Sequence, residues 1–165
     1  MNKKYGLIAI GVVVSLVIIL IVAGVTKDDA KKGPAQVVSD EATLQAQEGN
    51  YTLKITKVLE VAPNPKEADA PKADSVAIVV YEYTNDDIAH GLVIGNTHFK
   101  AYDSRGNELE QYPQKDLFEP SDVGASGTFT ASVAFALNND DDYLKIEYYK
   151  EISAKKPDVV FEQEW

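Results

Sequence analysis

TFTASVAFAL, residues 128–137, decides the fold. Phe129, Ala131, Val133, Phe135 and Leu137 occupy alternate positions, with Thr128, Thr130, Ser132 and Ala134 between them. A period of two places the first set on one face of a strand and the second on the other. The same period recurs on both sides. Leu144, Ile146 and Tyr148 repeat it downstream. Upstream, Tyr51, Leu53 and Ile55 alternate with Thr52, Lys54 and Thr56, and the run continues unevenly to Val61. Val76 to Thr84 (VAIVVYEYT) is apolar nearly throughout and rich in β-branched and aromatic residues, as expected of a central strand covered on both faces.

Shorter strands fill the gaps. Thr43 to Gln47 is expected as the first, turned by Glu48-Gly49-Asn50. Phe99 to Tyr102 and Glu108 to Glu110 flank Asp103-Ser104-Arg105-Gly106-Asn107, a turn in which Gly106 supplies a positive φ. Val159 to Trp165 offers a last strand, and residues 62–75, with Pro63, Pro65 and Pro71, read as a long exposed loop. About seven strands without an amphipathic helix make an all-β, antiparallel β-sandwich. The expected core contains Ile78, Val80, Phe129, Val133, Phe135 and Leu144.

Ahead of this domain, Tyr5 to Val25 carries no charge, and Ser15 is its only ordinary polar side chain. At about 1.5 Å per residue, such a run makes a helix about as long as the hydrocarbon core is thick. The expected organisation is a cytoplasmic head (1–4), a transmembrane signal anchor (5–25), a solvated tether (26–42) and a β-sandwich domain (43–165). Lys3 and Lys4 precede the helix while Lys27, Lys31 and Lys32 follow it, so the positive-inside count is balanced. The short head and the absence of cysteine favour N-inside, which makes this a single-pass protein of the cell membrane with its domain extracytoplasmic. The alternative is secretion after signal cleavage, but the apolar run exceeds the 7–15 residues of a signal peptide.

Composition excludes several classes of function. From residue 51 onward, 11 Lys and Arg face 21 Asp and Glu, a net charge of −10. That surface repels phosphate backbones, so nucleic acid is not expected as a partner. With no cysteine there are no disulfides, thiolate metal sites or thiol nucleophiles. A domain of roughly this size buries one modest core, and packing alone must hold it.

Tyr81-Glu82-Tyr83-Thr84-Asn85, then Phe99-Lys100-Ala101-Tyr102 and Gly106-Asn107-Glu108-Leu109-Glu110, then a turn from Pro120 to Gly127 before the Phe129 strand, form a suggestive series. It resembles the immunoglobulin-like, telokin-like extracytoplasmic domains of unknown function in small exported proteins of Gram-positive bacteria. The resemblance implies an immunoglobulin-like sandwich over roughly residues 43–150 and no catalytic residues. Many such proteins resemble lipoproteins, but here Val22-Ala23-Gly24 is followed by Val25 where the lipidated cysteine would stand.

Few residues carry a chemical signature. Asp140, Asp141 and Asp142, after Asn138-Asn139, are the one metal candidate; they lack the EF-hand spacing and read as a solvated turn. His90 and His98 have no third ligand at a zinc-like spacing. Ser126 lies among glycines but outside a G-x-S-x-G motif, so a tight turn is expected. No catalytic residue, cofactor or metal is expected, and the chain is not read as an enzyme. The tyrosines carry the functional reading, because a ring with a hydroxyl suits recognition of peptides or sugars. Tyr102, Tyr112, Tyr143 and Tyr149 are the candidate binding aromatics.

The expected function is a monomeric, membrane-tethered binding module for a protein, peptide or cell-wall polymer. Two alternatives remain: an accessory subunit acting through its transmembrane helix, where Gly6, Gly11, Ser15 and Gly24 permit close helix approach, or an exported cell-wall enzyme. N-terminal sequencing of protein from its native membrane is expected to retain Tyr5 to Val25. A start near residue 25 would establish cleavage instead.

Overall fold

The computed structural model describes residues 36–38, 40–64, 70–138 and 142–164. Nine strands run through them: β1 (Gln36–Val38), β2 (Glu41–Ala46), β3 (Gly49–Val61), β4 (Ser75–Asn85), β5 (Phe99–Tyr102), β6 (Glu108–Leu109), β7 (Thr128–Leu137), β8 (Tyr143–Tyr148) and β9 (Val159–Glu164). A 3-10 turn, Asn96–His98, leads into β5. The strands form two sheets, ordered β2-β3-β4-β7 and β1-β9-β8-β5-β6. Strand pairing is antiparallel throughout, except that β1 lies parallel to β9. The expected tether therefore ends earlier than residue 42, since 36–38 and 41–42 are already strand. Tyr5 to Val25 lies outside the described residues. Among the described residues, no helix is long and apolar enough to cross a membrane.

The core lies between the sheets. Register sets Ala77, Val79, Tyr81 and Tyr83 of β4 opposite Phe135, Val133, Ala131 and Phe129 of β7. These side chains meet Phe99, Leu144, Ile146, Tyr148 and Phe161 from the other sheet in one cluster. Each fully buried side chain of this size contributes about 1.5–3 kcal/mol. Val133, Phe135 and Leu144 are buried as expected, while Phe129 is only half-buried and rests on Tyr83 at 6.0 Å between ring centroids.

Ile78 and Val80 correct the sequence reading. They lie on the opposite face of β4 and are half-buried, because Val79 rather than its neighbours faces inward. An apolar run gives no parity, so the face had to come from register with β3 and β7. The outer face of β4 and β7 is nevertheless covered near Val76. Val76, Ala134, Ala136 and Tyr112 form a second cluster, onto which Ala70, Ala73 and Leu117 pack. Part of the proline-rich loop is thus a cover for the sheet. The uneven end of β3 also has a cause: its register with β4 shifts between Ile55 and Lys57, a bulge that changes which residues face the core.

Phe135→Ala is expected to cost about 3–5 kcal/mol by opening a cavity between the sheets. Thr130→Ala, at an exposed position of the same strand, should cost less than about 0.5 kcal/mol. Equal shifts in the urea midpoint would reverse the assigned faces.

Candidate functional site

The end of β4 shows how the tyrosines are used. Tyr81, Tyr83 and Asn85 alternate along the inner face and are fully buried. A buried hydroxyl or amide needs a partner, and each finds one in a loop backbone. Tyr81 Oη donates to Ile94 O (2.8 Å), and Tyr83 Oη donates to Ser121 O while accepting from Ser121 N–H (3.0 Å). Asn85 Nδ2 donates to Ile88 O and Val123 O, both at 2.9 Å, and its Oδ1 accepts from Ile88 N–H at 2.7 Å. Gly124 to Gly127 is a tight turn closed by Gly127 N–H to Gly124 O (3.0 Å), with Ser126 N–H donating to Asn85 O (2.7 Å). The Tyr-x-Tyr-Thr-Asn motif is therefore a loop anchor.

On the outer side of the five-stranded sheet, Tyr102 and Tyr149 meet in one cluster, and Tyr143 stands on the same face beside Glu162. Tyr143, Lys145 and Glu147 alternate along β8, Tyr149 continues their parity, and Tyr102 lies opposite Lys145 on β5. Lys145 Nζ sits 4.2 Å from the centroid of the Tyr102 ring and 3.0 Å from Glu147 Oε1. Tyr149 Oη donates to Glu147 Oε2 at 2.5 Å. Lys100 Nζ bonds Glu108 at 3.0 Å, and Tyr102 Oη reaches Glu108 Oε2 at 3.4 Å. Tyr102 and Tyr143 are half-buried and Tyr149 is buried. Tyr112 is elsewhere, buried in the second cluster with its hydroxyl on Asn64 O (3.3 Å).

Electrostatics fix this cluster in one charge state. Burial would raise the Glu147 pKa, but hydrogen bonds from Tyr149, Lys145 and Tyr102, with the Lys145 charge, hold it below the usual carboxylate range. Burial, then the Glu147 and Glu108 carboxylates, push Tyr102 up to about 12. The face thus presents neutral phenols around an ionised, paired carboxylate at physiological pH. Such a surface can stack on a planar or sugar-like group and hydrogen-bond at its edge. Lys145 and Glu147 were not singled out from the sequence, although the Tyr-x-Lys-x-Glu-x-Tyr alternation carried their position.

A second feature is a cleft of about 480 Å³ at one end of the sandwich, formed by the end of β2 (Gln45, Ala46), Tyr51 of β3, Leu92, Val93 and Tyr148. At its floor, Tyr51 Oη and Tyr148 Oη share one hydrogen bond (3.0 Å). Burial leads in raising the pKa of both, Tyr148 to about 12. The remaining sequence candidates contribute little. Asp142 is exposed, and Asp140 and Asp141 lie outside the described residues. Among the described residues, no three His, Cys, Asp or Glu side chains are placed to hold a metal. His90 pairs with Glu48 at 3.0 Å, while His98 Nδ1 meets Tyr149 O at 2.7 Å and orients the end of β8.

No protein family matches this chain's sequence, and neither does any curated protein. Solved structures do match its fold. The secreted protein MPT63 from Mycobacterium tuberculosis superposes with a TM-score of 0.61 at 9% identity, over 78% of this chain and 97% of its own. The putative lipoprotein ycdA from Bacillus subtilis gives 0.58 at 16% identity over 77% of this chain, which spans only 39% of that protein. The yjhA protein from Bacillus subtilis gives 0.51 at 10% identity, over 78% of this chain and 98% of its own. At such identities the likeness is one of fold, and it places the domain among the β-sandwich proteins.

Glu147→Gln is expected to cost about 1.5–3 kcal/mol at neutral pH, the range for hydrogen bonds to a charged group. Its folded pKa lies below the unfolded value, so this contribution is complete above the unfolded pKa, about 4.3, and fades as pH falls through the folded one. Urea midpoints of wild type and variant should converge in acid. A constant difference would remove Glu147 from the charge network.

Proposed function

We propose that this chain is an extracytoplasmic binding module, held at the cell membrane by Tyr5 to Val25 and recognising a protein, peptide or cell-wall polymer without catalysing a reaction. The observation that carries it is the meeting of Tyr102 and Tyr149 around Lys145 and Glu147 on the outer face of one sheet, with Tyr143 on the same face of β8. Binding needs a few anchored aromatics on a rigid support, and here the rings stand on paired strands with their polar ends tied. The secreted and lipoprotein descriptions of two fold neighbours support an extracytoplasmic place.

The immunoglobulin-like reading is proposed at the level of architecture. Two packed sheets and a first strand parallel to the last support it. Strand order differs from the immunoglobulin arrangement, in which the second and third strands lie in different sheets; here β2, β3 and β4 follow one another in a single sheet.

The test uses the full chain in detergent against isolated cell-wall polymer and membrane extract. Tyr102→Ala with Tyr143→Ala is expected to reduce binding at least about tenfold, roughly the scale of one lost anchor, while His90→Ala leaves it unchanged. Turnover of wall polymer, abolished by one carboxylate or histidine substitution, would overturn the reading.

A further inference from the structure

Sheet edges invite pairing with another chain, and three of the four here are blunted. The five-stranded sheet ends in β1 and β6, of three and two residues. In the four-stranded sheet, the β7 edge is taken up by residues 110–118. Ala136 N–H donates to Glu110 O (2.9 Å), Tyr112 N–H to Ala134 O (2.8 Å) and Ser132 N–H to Phe118 O (2.9 Å). The fourth edge is β2, six residues long and paired only with β3 among the described residues.

Register determines what β2 offers. Ile55 N–H donates to Asp40 O (2.6 Å). Residues 40, 42, 44 and 46 therefore bond β3, and Glu41, Thr43 and Gln45 turn their N–H and C=O groups outward. Independently, Lys150 Nζ caps Gln45 O at 3.0 Å, a lysine guard on an outward carbonyl. The side chains of Glu41, Thr43 and Gln45 are exposed.

The same edge runs into the end cleft, whose wall includes Gln45 and Ala46. Val93, 51% exposed, gives the cleft an apolar side, and Leu92 stands beside it. At the floor, the Tyr51–Tyr148 hydrogen bond uses one of two hydroxyl protons. Both tyrosines are 3% exposed. An open edge beside a cleft with one apolar wall (Leu92, Val93) and a polar rim (Gln47, His98, Lys150, Glu151) is an arrangement that accepts an extended peptide by strand addition. The partner's charge follows from the domain: 11 basic against 21 acidic residues from position 51 onward attract a cation and oppose a second copy of the same chain.

We infer that β2 is a strand-addition site for an extended, cationic peptide segment of a partner protein, with one of its apolar side chains seated in the end cleft. The inference rests on the binding-module reading but not on the tyrosine face, which lies on the other sheet.

The experiment measures fluorescence anisotropy of a labelled ten-residue peptide of alternating Lys and Val, added to the full chain in detergent. The same peptide with Glu for Lys, and one N-methylated at alternate amides, serve as controls. The Lys-Val peptide is expected to bind, and both controls to bind at least about tenfold more weakly, as loss of charge attraction or of one to two backbone hydrogen bonds requires. Thr43→Pro removes an outward N–H on an edge strand, where proline is tolerated, and should weaken binding to a similar extent. Lys150→Ala, which uncovers Gln45 O, should tighten it. Undiminished binding of the N-methylated peptide would reduce the effect to bulk charge and overturn the inference without needing any protein variant. Loss on Tyr102→Ala with Thr43→Pro unaffected would overturn it too, while leaving the binding-module reading standing. A dimer in sedimentation that Thr43→Pro dissolves would assign the edge to a second copy and likewise overturn it.

Discussion

The row Tyr81, Tyr83, Asn85 on the inner face of β4 is the constraint on which the rest of the structure depends. Three large polar side chains face a core that tolerates no unpaired donor. The two tyrosine rings fill the space between the sheets, and the polar tips of all three reach the backbones at Ile88, Ile94, Ser121 and Val123. The long connections on either side of β5 and β6 are therefore tied to the central strand, although they make few regular hydrogen bonds of their own. Removing a tip would leave loop groups as well as core groups unsatisfied. Core packing and loop placement are one interaction here.

That coupling explains how a cysteine-free domain of this size holds its loops. Disulfides staple many small exported domains; here tyrosine hydroxyls and one amide do comparable positional work. The Asp103 turn follows the same rule at smaller scale. Burial would raise the Asp103 pKa, but hydrogen bonds from the Asn107 side chain and from the Asn107 and Arg105 backbone hold it low. Gly106 supplies the positive φ (82°) that lets the turn close around that carboxylate.

Much of this was legible in the sequence, for identifiable reasons. Strand β7 was read to the residue, because one small-and-polar face against one large apolar face leaves no doubt about period. Strands β3, β4 and β8 were legible in extent, but the faces of β4 were not: Val76 to Val80 is apolar on both sides, and parity cannot be taken from a uniform run. The parallel pairing of β1 was also out of reach, since three residues close to Pro34 and to charges carry no period. For the candidate site, tyrosine count pointed to the right chemistry but could not separate Tyr112, which covers the outer face of β7, from Tyr102 and Tyr143, which stand on an open sheet. That difference is set by which segment folds across which sheet.

The fold itself decides little about what is bound. Matches at 9–16% identity share the fold alone, and a fold does not imply a function, so the binding proposed for this chain has to be argued from features superimposed on the scaffold. Two such features are present, and they differ in kind. The Tyr102–Lys145–Glu147 face is a side-chain platform with its groups already paired, suited to stacking and edge hydrogen bonds. The β2 edge offers backbone groups, whose directionality selects an extended chain whatever its side chains, and leaves the cleft and the negative field to discriminate among sequences. The β7 edge is covered by residues 110–118 and the sheet ends at β1 and β6 are short, so the length of β2 is the exception within its own fold. A strand left uncovered where its counterparts are blunted is a liability unless something pairs with it, and this asymmetry weighs most for an interacting surface there.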